Sequence, residues 1–464
     1  MSRLREIANK RFYVLLALAL VPLHVTNQLI AGLIPSSYKA NLDIDPAQFR
    51  DVLTSTFHFP FVIFLVSILV VGWLIARGIK LHTLFLCFGF VYLCLFFVMA
   101  TPDAISLLVW GAADLLWPLA EGEIERNSGV LYWLKWVGAT LIAVAMILQV
   151  LGYTWVAQTA QTLAEALFGF AIVFLCFALT NFLGPILYLG SQLTGLVLAN
   201  TPLADWSAGY SAISMSFTLS YAVLLSLPVV FGQRAKEMEG NMRPNGVISA
   251  IRVFGNIAIW RLVIFILIVG VLVQYFSTGI FLGDFAFQVP TITQQTIYGG
   301  AGVFGIVCLW FVSCRMTLNY GLIIGVSVAA GLLIVRAFVP IEALPWRLFW
   351  VACYLSTLPA IAFLYYPIMI GLIDNNHSYH RDVATVLVFG LLKLVGFLSI
   401  IGSSLLNVLF GGMFEVTPHE SSWAARDVNS LMFGVGVPIG LALASLLLVW
   451  RLPVGNQSKE PAES

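Results

Sequence analysis

Charge is what this sequence most conspicuously lacks. Asp, Glu, Lys and Arg make up 10% of its 464 residues, and 60% are hydrophobic. A soluble domain carries about 25% charged residues, so this chain has too little polar surface to face water on all sides, and its natural solvent is lipid. Charge of one sign is missing too. With 23 basic and 22 acidic residues the net charge is +1, which leaves no basic face for nucleic acid. Its six cysteines, Cys87, Cys94, Cys176, Cys308, Cys314 and Cys353, form no CxxC pair and do not cluster with histidine, so they read as small apolar residues among helices. No P-loop, G-x-G-x-x-G, G-x-S-x-G or HExxH occurs in a fitting context, so neither an enzyme nor an ATP-driven machine is expected, and no cofactor or metal. No polar stretch is long enough for a separate soluble domain. The apolar run after Arg11 lacks a small-residue cleavage site and reads as a first span rather than a signal peptide.

What remains is a series of apolar runs. A bilayer core needs about 20 apolar residues per helix. On that rule spans are expected at 12–33, 56–77, 82–101, 104–121, 131–151, 163–183, 185–200, 208–231, 258–281, 295–314, 317–338, 347–373, 383–410 and 430–450, about 14 transmembrane helices. The break at Gly184-Pro185 separates two of them; one long kinked helix is the competing reading. With the N-terminus inside and sides alternating, 17 of the 23 basic residues fall in inside loops, Arg126 and Lys135 among them. Five lie outside (Lys39, Arg50, Arg336, Arg347 and Arg426) and Lys393 lies within a span. That bias is the positive-inside pattern, with both termini inside. Tyr132, Trp133, Trp155, Trp206 and Trp346 fall near span ends, as interface anchors do.

The domain reading is an N-terminal bundle with two extra helices over 1–231, a polar, turn-forming linker over 232–256, a six-helix bundle over 257–452 and a polar tail over 453–464. The fold class is therefore all-α integral membrane.

Leu33-Ile34-Pro35 is followed by Leu42-Asp43-Ile44-Asp45-Pro46-Ala47-Gln48-Phe49, and the second span leads into Gly72-Trp73-Leu74-Ile75-Ala76-Arg77-Gly78-Ile79-Lys80. These stretches resemble the major facilitator superfamily, specifically its fourteen-helix drug/proton antiporter branch, whose loop signature is G-x-L-a-D-r-x-G-r. Ile248 to Trp260, leading into an apolar helix, is similar to the family's entry into its last six helices. The resemblance implies two helical bundles, with Gly72 and Arg77 in a gating loop. The sequence departs from the signature at Ala76 and Ile79. It has no carboxylate in the first-helix stretch His24-Val25-Thr26-Asn27-Gln28, carries Trp110 where the family has an arginine, and lacks the Gly-Pro motif in 131–151.

Ionisable residues inside spans are costly to insert and usually face a partner or a water-filled path. Asp114, Lys393 and His24 lie near mid-span, and Glu165 lies close to the expected outer end of its span. Asp114 is the candidate proton carrier, Lys393 a candidate for an anionic substrate or for pairing with Asp114, and His24 and Gln28 candidates for the same pathway. A static polar knot between helices is the alternative for each. Gly299-Gly300-Ala301-Gly302 and Gly305 offer a small-residue face for close packing. Asp374, His377 and His380 share a loop, a weak metal pattern more simply read as solvated.

The functional expectation is a secondary transporter exporting a hydrophobic or amphipathic small molecule by alternating access, with protons as the coupling ion, in a bacterial inner membrane. Its partners would be the lipid bilayer and that substrate; the sequence carries no signal for or against a periplasmic adaptor. The alternatives are a lipid-linked or polysaccharide-precursor flippase, and a transporter-like scaffold that does not transport.

Overall fold

The computed structural model describes residues 2–31, 33–55, 59–102, 123–180, 206–231, 250–276, 291–338, 349, 352–354, 356–357, 359–375, 381–410, 414–415, 424–425 and 432–453. They hold fourteen α-helices. These are α1 Ser2–Ala31, α2 Leu33–Leu42, α3 Pro46–Ser55, α4 Phe59–Ala76, α5 Leu81–Ala100, α6 Glu123–Thr159 and α7 Leu163–Thr180. They continue as α8 Trp206–Val230, α9 Ile257–Tyr275, α10 Thr291–Arg315, α11 Leu318–Phe338, α12 Ala362–Asp374, α13 Arg381–Phe410 and α14 Val437–Val449. The expected helix number and all-helical class hold, but the fourteen are not the fourteen expected. Two of them, α2 and α3, are ten-residue helices between the first two spans. The expected spans 104–121 and 185–200 lie outside the described residues. Strand is confined, among the described residues, to a two-residue antiparallel ladder pairing Phe414 with Ala425 and Glu415 with Ala424. Among the described residues eight helices are long and apolar enough to cross a membrane, and three more stretches are apolar but shorter.

The chain forms two compact units, Met1–Gly152 with Leu183–Arg234, and Tyr153–Phe182 with Ala235–Ser464. The boundary falls inside α6, between Gly152 and Tyr153.

In the first unit α8 packs along α1 and α5. One end of this unit is closed by α2 and α3, whose buried Tyr38 and Phe49 rings meet at 5.0 Å, tilted by 57°. The Tyr38 hydroxyl donates to the Met99 carbonyl at 3.0 Å, tying α2 to the end of α5. The early part of α6 lies at this same end. Trp136 packs on Phe59, the first residue of α4, at 4.9 Å, with the Lys135 ammonium 5.7 Å from that ring. Gly138 faces Leu53 of α3 and Met99 of α5. Ser214 of α8 donates to the Ala100 carbonyl at 2.7 Å, so α8 also starts here. Thus α1 and α5 run toward the α2–α3 end, and α4, α6 and α8 run away from it.

This corrects the sidedness expected for α6. Strict alternation of the expected spans put Lys135 in a loop opposite to the 34–55 segment; the contacts with Phe59 and Leu53 put it at the same end. The second unit gives the same correction independently. Arg381, at the start of α13, reaches the Ala157 carbonyl near the end of α6 at 3.5 Å, where alternation had placed the two on opposite faces. Reversing α6 and α7 satisfies both.

The second unit is held by antiparallel neighbours. Phe168 of α7 meets Trp310 of α10 at 6.3 Å, and Ala178 lies beside Gly302. At Gly305 the backbone of Ser356 comes so close that no side chain fits, which is the close packing expected of that small-residue face. The helix α9 packs along α13 and antiparallel to α14, with Arg261 donating to the Leu447 carbonyl at 3.4 Å and Tyr275 to that of Gly434 at 3.1 Å. The result is that α7, α9, α11 and α13 run away from the Arg381 end, and α10, α12 and α14 run toward it.

Candidate functional site

Two clusters stand out, one in each unit. In the first, Pro22 interrupts α1, and a proline inside a helix removes one backbone hydrogen bond. One turn on, the Thr26 hydroxyl donates to the Pro22 carbonyl at 2.9 Å. That carbonyl also accepts from the Tyr92 hydroxyl of α5 at 3.2 Å, and Thr26 and Tyr92 are hydrogen-bonded to each other. Tyr221 of α8 packs on Phe96, one turn along α5 from Tyr92, at 4.9 Å. Partly buried His24 lies on α1 between Pro22 and Thr26. The Gln28 side chain lies outside the described residues.

In the second unit, Lys393 is partly buried twelve residues into α13, and its ammonium lies 5.0 Å over the ring of Tyr153. Tyr153 is the centre of an aromatic nest. Tyr366 of α12 meets it at 4.6 Å, and Phe170, Phe174 and Phe177 of α7 at 5.9, 6.1 and 6.4 Å. Phe170 and Tyr366 stack nearly parallel, 5.1 Å apart at 14°, and Phe389, one turn before Lys393, closes the nest on Tyr366 at 5.0 Å. Four helices, α6, α7, α12 and α13, therefore converge on Tyr153, α13 through the cation over its ring and α7 and α12 through their aromatic side chains. A cation over a tyrosine face is attracted by the ring quadrupole.

Sequence reasoning picked out Lys393 and missed its aromatic partners. Phe170, Phe174 and Phe177 recur at four and three residues, the spacing of one helical face, but such a stripe looks the same whether it faces lipid, core or ligand. Tyr153 and Tyr366 carried no local signal.

Against known proteins the results divide by method. No family model matches the sequence, and no curated protein matches it. Solved structures do match. The fucose:proton symporter FucP of E. coli, described as a major facilitator superfamily transporter in the outward conformation, aligns over 95% of this chain and 98% of its own at 14% identity and a TM-score of 0.54. A bacterial homologue of the iron transporter ferroportin, in the outward-facing state, aligns over 95% and 98% at 13% identity and 0.53. The same homologue soaked with iron gives 94% and 98% at 11% identity and 0.57.

The chain has the major facilitator fold. That is the coarse part of the family expectation; the fourteen-helix drug/proton antiporter branch is not what these neighbours represent. Within this major facilitator fold, Gly72 is buried in α4 and Arg77 follows its last residue, exposed, with its guanidinium 4.5 Å over Trp73 one turn back. The turn that follows uses Gly78 at φ 87°, a left-handed conformation that glycine adopts without strain. Asp114 lies outside the described residues. Glu165 sits at the start of α7, at the Arg381 end rather than the opposite one. It accepts from the Gln161 amide at 2.8 Å while the Thr162 hydroxyl accepts from the Glu165 amide at 3.1 Å, a helix-capping arrangement. Asp374 pairs with Arg381 at 2.8 Å; His377 and His380 lie outside the described residues.

Proposed function

We propose that this protein is a secondary transporter that exports a hydrophobic or amphipathic small molecule by alternating access, driven by an ion gradient. The observation that carries the reading is a major facilitator fold with a cation held among aromatic rings halfway along an apolar helix. Charge at that depth is expensive and tends to be retained for what it binds or moves. Lys393 is assigned to the substrate pathway. His24, beside the Pro22–Thr26–Tyr92 cluster, and Gln28 are assigned to the pathway in the first unit. Asp114 is assigned as the protonatable carboxylate, and Gly72 with Arg77 as the gating loop. The bilayer is the bacterial inner membrane, and protons are the proposed coupling ion.

The test is accumulation of a panel of lipophilic compounds in a bacterial host stripped of its main efflux pumps, with and without a protonophore. Cells expressing the wild type should accumulate less of at least one compound, and protonophore should abolish the difference. Asp114→Asn and His24→Asn separate the two proton candidates: the one that carries the proton loses the protonophore-sensitive component. A difference that survives protonophore and both substitutions removes proton coupling and these assignments. No difference for any compound removes the exporter reading.

A further inference from the structure

We propose that the seam between the start of α9 and the end of α14 binds an anionic phospholipid, with the phosphate held by Arg252, Arg261 and Arg451 and the acyl chains along the exposed apolar faces of the two helices. The site shares no residue with the pathway proposed above and requires only that the chain sits in a membrane.

The sequence uses one residue pair twice here. Trp260-Arg261 falls near the start of α9, and Trp450-Arg451 follows the last residue of α14. The two helices are antiparallel, with the Arg261 guanidinium on the Leu447 carbonyl at 3.4 Å, so both pairs lie at the Arg381 end. The Trp260 Nε1 donates to the Phe254 carbonyl at 2.6 Å. That bond holds the short 3-10 turn Arg252–Gly255 against α9 and brings a third arginine to the same end. The backbone beyond Arg451 is anchored as well. Asn319 of α11 donates to the Leu452 carbonyl at 3.0 Å, and Asn375 donates to that of Pro453.

The surroundings select the ligand. The helix α9 lies between α13 and α14, with α11 beyond α14, and α12 packs across one side of this row, on α13, α9 and α11. On the other side α9 exposes Ile257, Trp260 and Ile264, spaced three and four residues apart. There α14 exposes Leu443 and Leu447, with Trp450 beyond its end. Ile257 and Leu447 are 76% and 74% exposed, apolar surface that suits acyl chains and not water. Tryptophan at the end of both stripes marks the headgroup level. At that level the charge is positive. The Arg252–Gly255 turn, α9, α11 and α14 contain no acidic residue. Of the two carboxylates that α12 and α13 bring to this end, Asp374 is paired with Arg381, which leaves Asp382 against three arginines. Guanidinium forks bind phosphate oxygens in pairs, and Arg261 has donors beyond the one it gives Leu447. Basic groups between helices at one membrane face receive anionic headgroups. A zwitterionic headgroup brings its own ammonium toward the arginines, so the seam discriminates by net charge.

The experiment titrates the purified full chain, in neutral detergent, with dioleoylphosphatidylglycerol or dioleoylphosphatidylcholine and counts bound lipid by native mass spectrometry. Phosphatidylglycerol should bind more tightly. Arg252→Gln and Arg451→Gln should each weaken it about fivefold, the effect of one basic residue near a charged headgroup, and leave phosphatidylcholine unchanged. Arg261→Lys should keep the preference, and glutamine at all three positions should erase it. Arg315→Gln, at the same end but with its guanidinium laid over Phe311 at 4.0 Å, should behave as wild type. If the triple variant does not fold, the double variant of the exposed Arg252 and Arg451 carries the test. Equal binding of the two lipids overturns the proposal, as does a preference that survives both the triple and the double variant. A loss in Arg315→Gln as large as in Arg451→Gln overturns it too, because the charge of the whole end and not this seam would then be responsible. Displacement of phosphatidylglycerol by millimolar inorganic phosphate would assign the arginines to a soluble anion and remove the lipid site.

Discussion

Three glycines of the second unit should respond in opposite directions to the same added methyl group. At Gly331, in the interior of α11, nothing lies within 4 Å of the position a Cβ would take. Alanine there gains helix propensity, about 0.5–1 kcal/mol. At Gly302 the new Cβ would lie 3.1 Å from the Cβ of Ala178 on α7, closer than ordinary contact, so the two helices must part by a few tenths of an ångström. The cost of that adjustment roughly offsets the propensity gain, leaving a net effect within about 0.5 kcal/mol of zero. At Gly305 the Cβ would run into the backbone of Ser356, which no rotamer change can move. Overpacking typically costs about 1–3 kcal/mol, so Gly305→Ala should be destabilising by about 1–2 kcal/mol after the propensity gain is subtracted. Across the series the spread is about 1.5–3 kcal/mol. The measurement is the midpoint of heat-induced loss of the monodisperse peak in detergent, followed by size-exclusion chromatography at stepped temperatures. The expected order is Gly331→Ala above wild type, Gly302→Ala level with it and Gly305→Ala below. A Gly305→Ala protein as stable as Gly331→Ala would refute the packing of α10 against Ser356 and Ala360.

The reversed α6 makes a labelling prediction. In a variant lacking the six native cysteines, Lys39→Cys and Lys135→Cys should react with a membrane-impermeant maleimide from one side of the membrane and Lys80→Cys from the other; reaction of position 135 together with position 80 would restore the alternation expected from sequence. The exposed pair of α2 makes a pH prediction, since Lys39 donates to Asp43 at 2.6 Å, and that hydrogen bond, with the lysine's charge, holds the Asp43 carboxyl below its ordinary value while Asp43 raises Lys39. A carboxyl depressed in the folded state stabilises the fold above its unfolded value and loses that contribution as pH falls through the folded one. Carbon-13 NMR of the side-chain carboxyls should therefore show Asp43 titrating higher in Lys39→Met, and an unchanged titration would show that the pair does not form.

Much of the architecture was legible in composition and apolar run length, because each span is written almost entirely in the residues it buries in lipid. The helix α4, Phe-Pro-Phe-Val-Ile-Phe-Leu-Val-Ser-Ile-Leu-Val-Val-Gly-Trp-Leu-Ile-Ala, admits no other reading. Hydropathy does not say whether a run crosses the bilayer, and it says nothing about which runs touch. The centre around Lys393 shows the second limit. The lysine was visible because charge is rare in an apolar helix, whereas Tyr153, Phe170 and Tyr366 look like any other aromatic residues of a chain that is 13% aromatic. Their meeting depends on the packing of α6, α7 and α12, which no local spacing encodes. Glu165 shows the reverse case. Thr162-x-x-Glu165 is a capping-box pattern readable from sequence, and reading it would have assigned the carboxylate to a helix start before any pathway role was considered.

The first limit has a physical reason as well. The positive-inside count hardly responds to the difference between the expected arrangement and the one the contacts require. Reversing α6 and α7 moves only Arg126 and Lys135 across, because the short turn between them, Ala160-Gln161-Thr162, carries no basic residue. The inside-to-outside balance changes from 17 and 5 to 15 and 7, which is still a positive-inside pattern. Charge bias tests the parity of crossings between basic loops and is blind to a pair of apolar runs flanking a loop without charge. Contacts are sensitive where charge is not. Lys135 over Phe59, and Arg381 at the Ala157 carbonyl, each fix the direction of α6 by themselves, one in each unit.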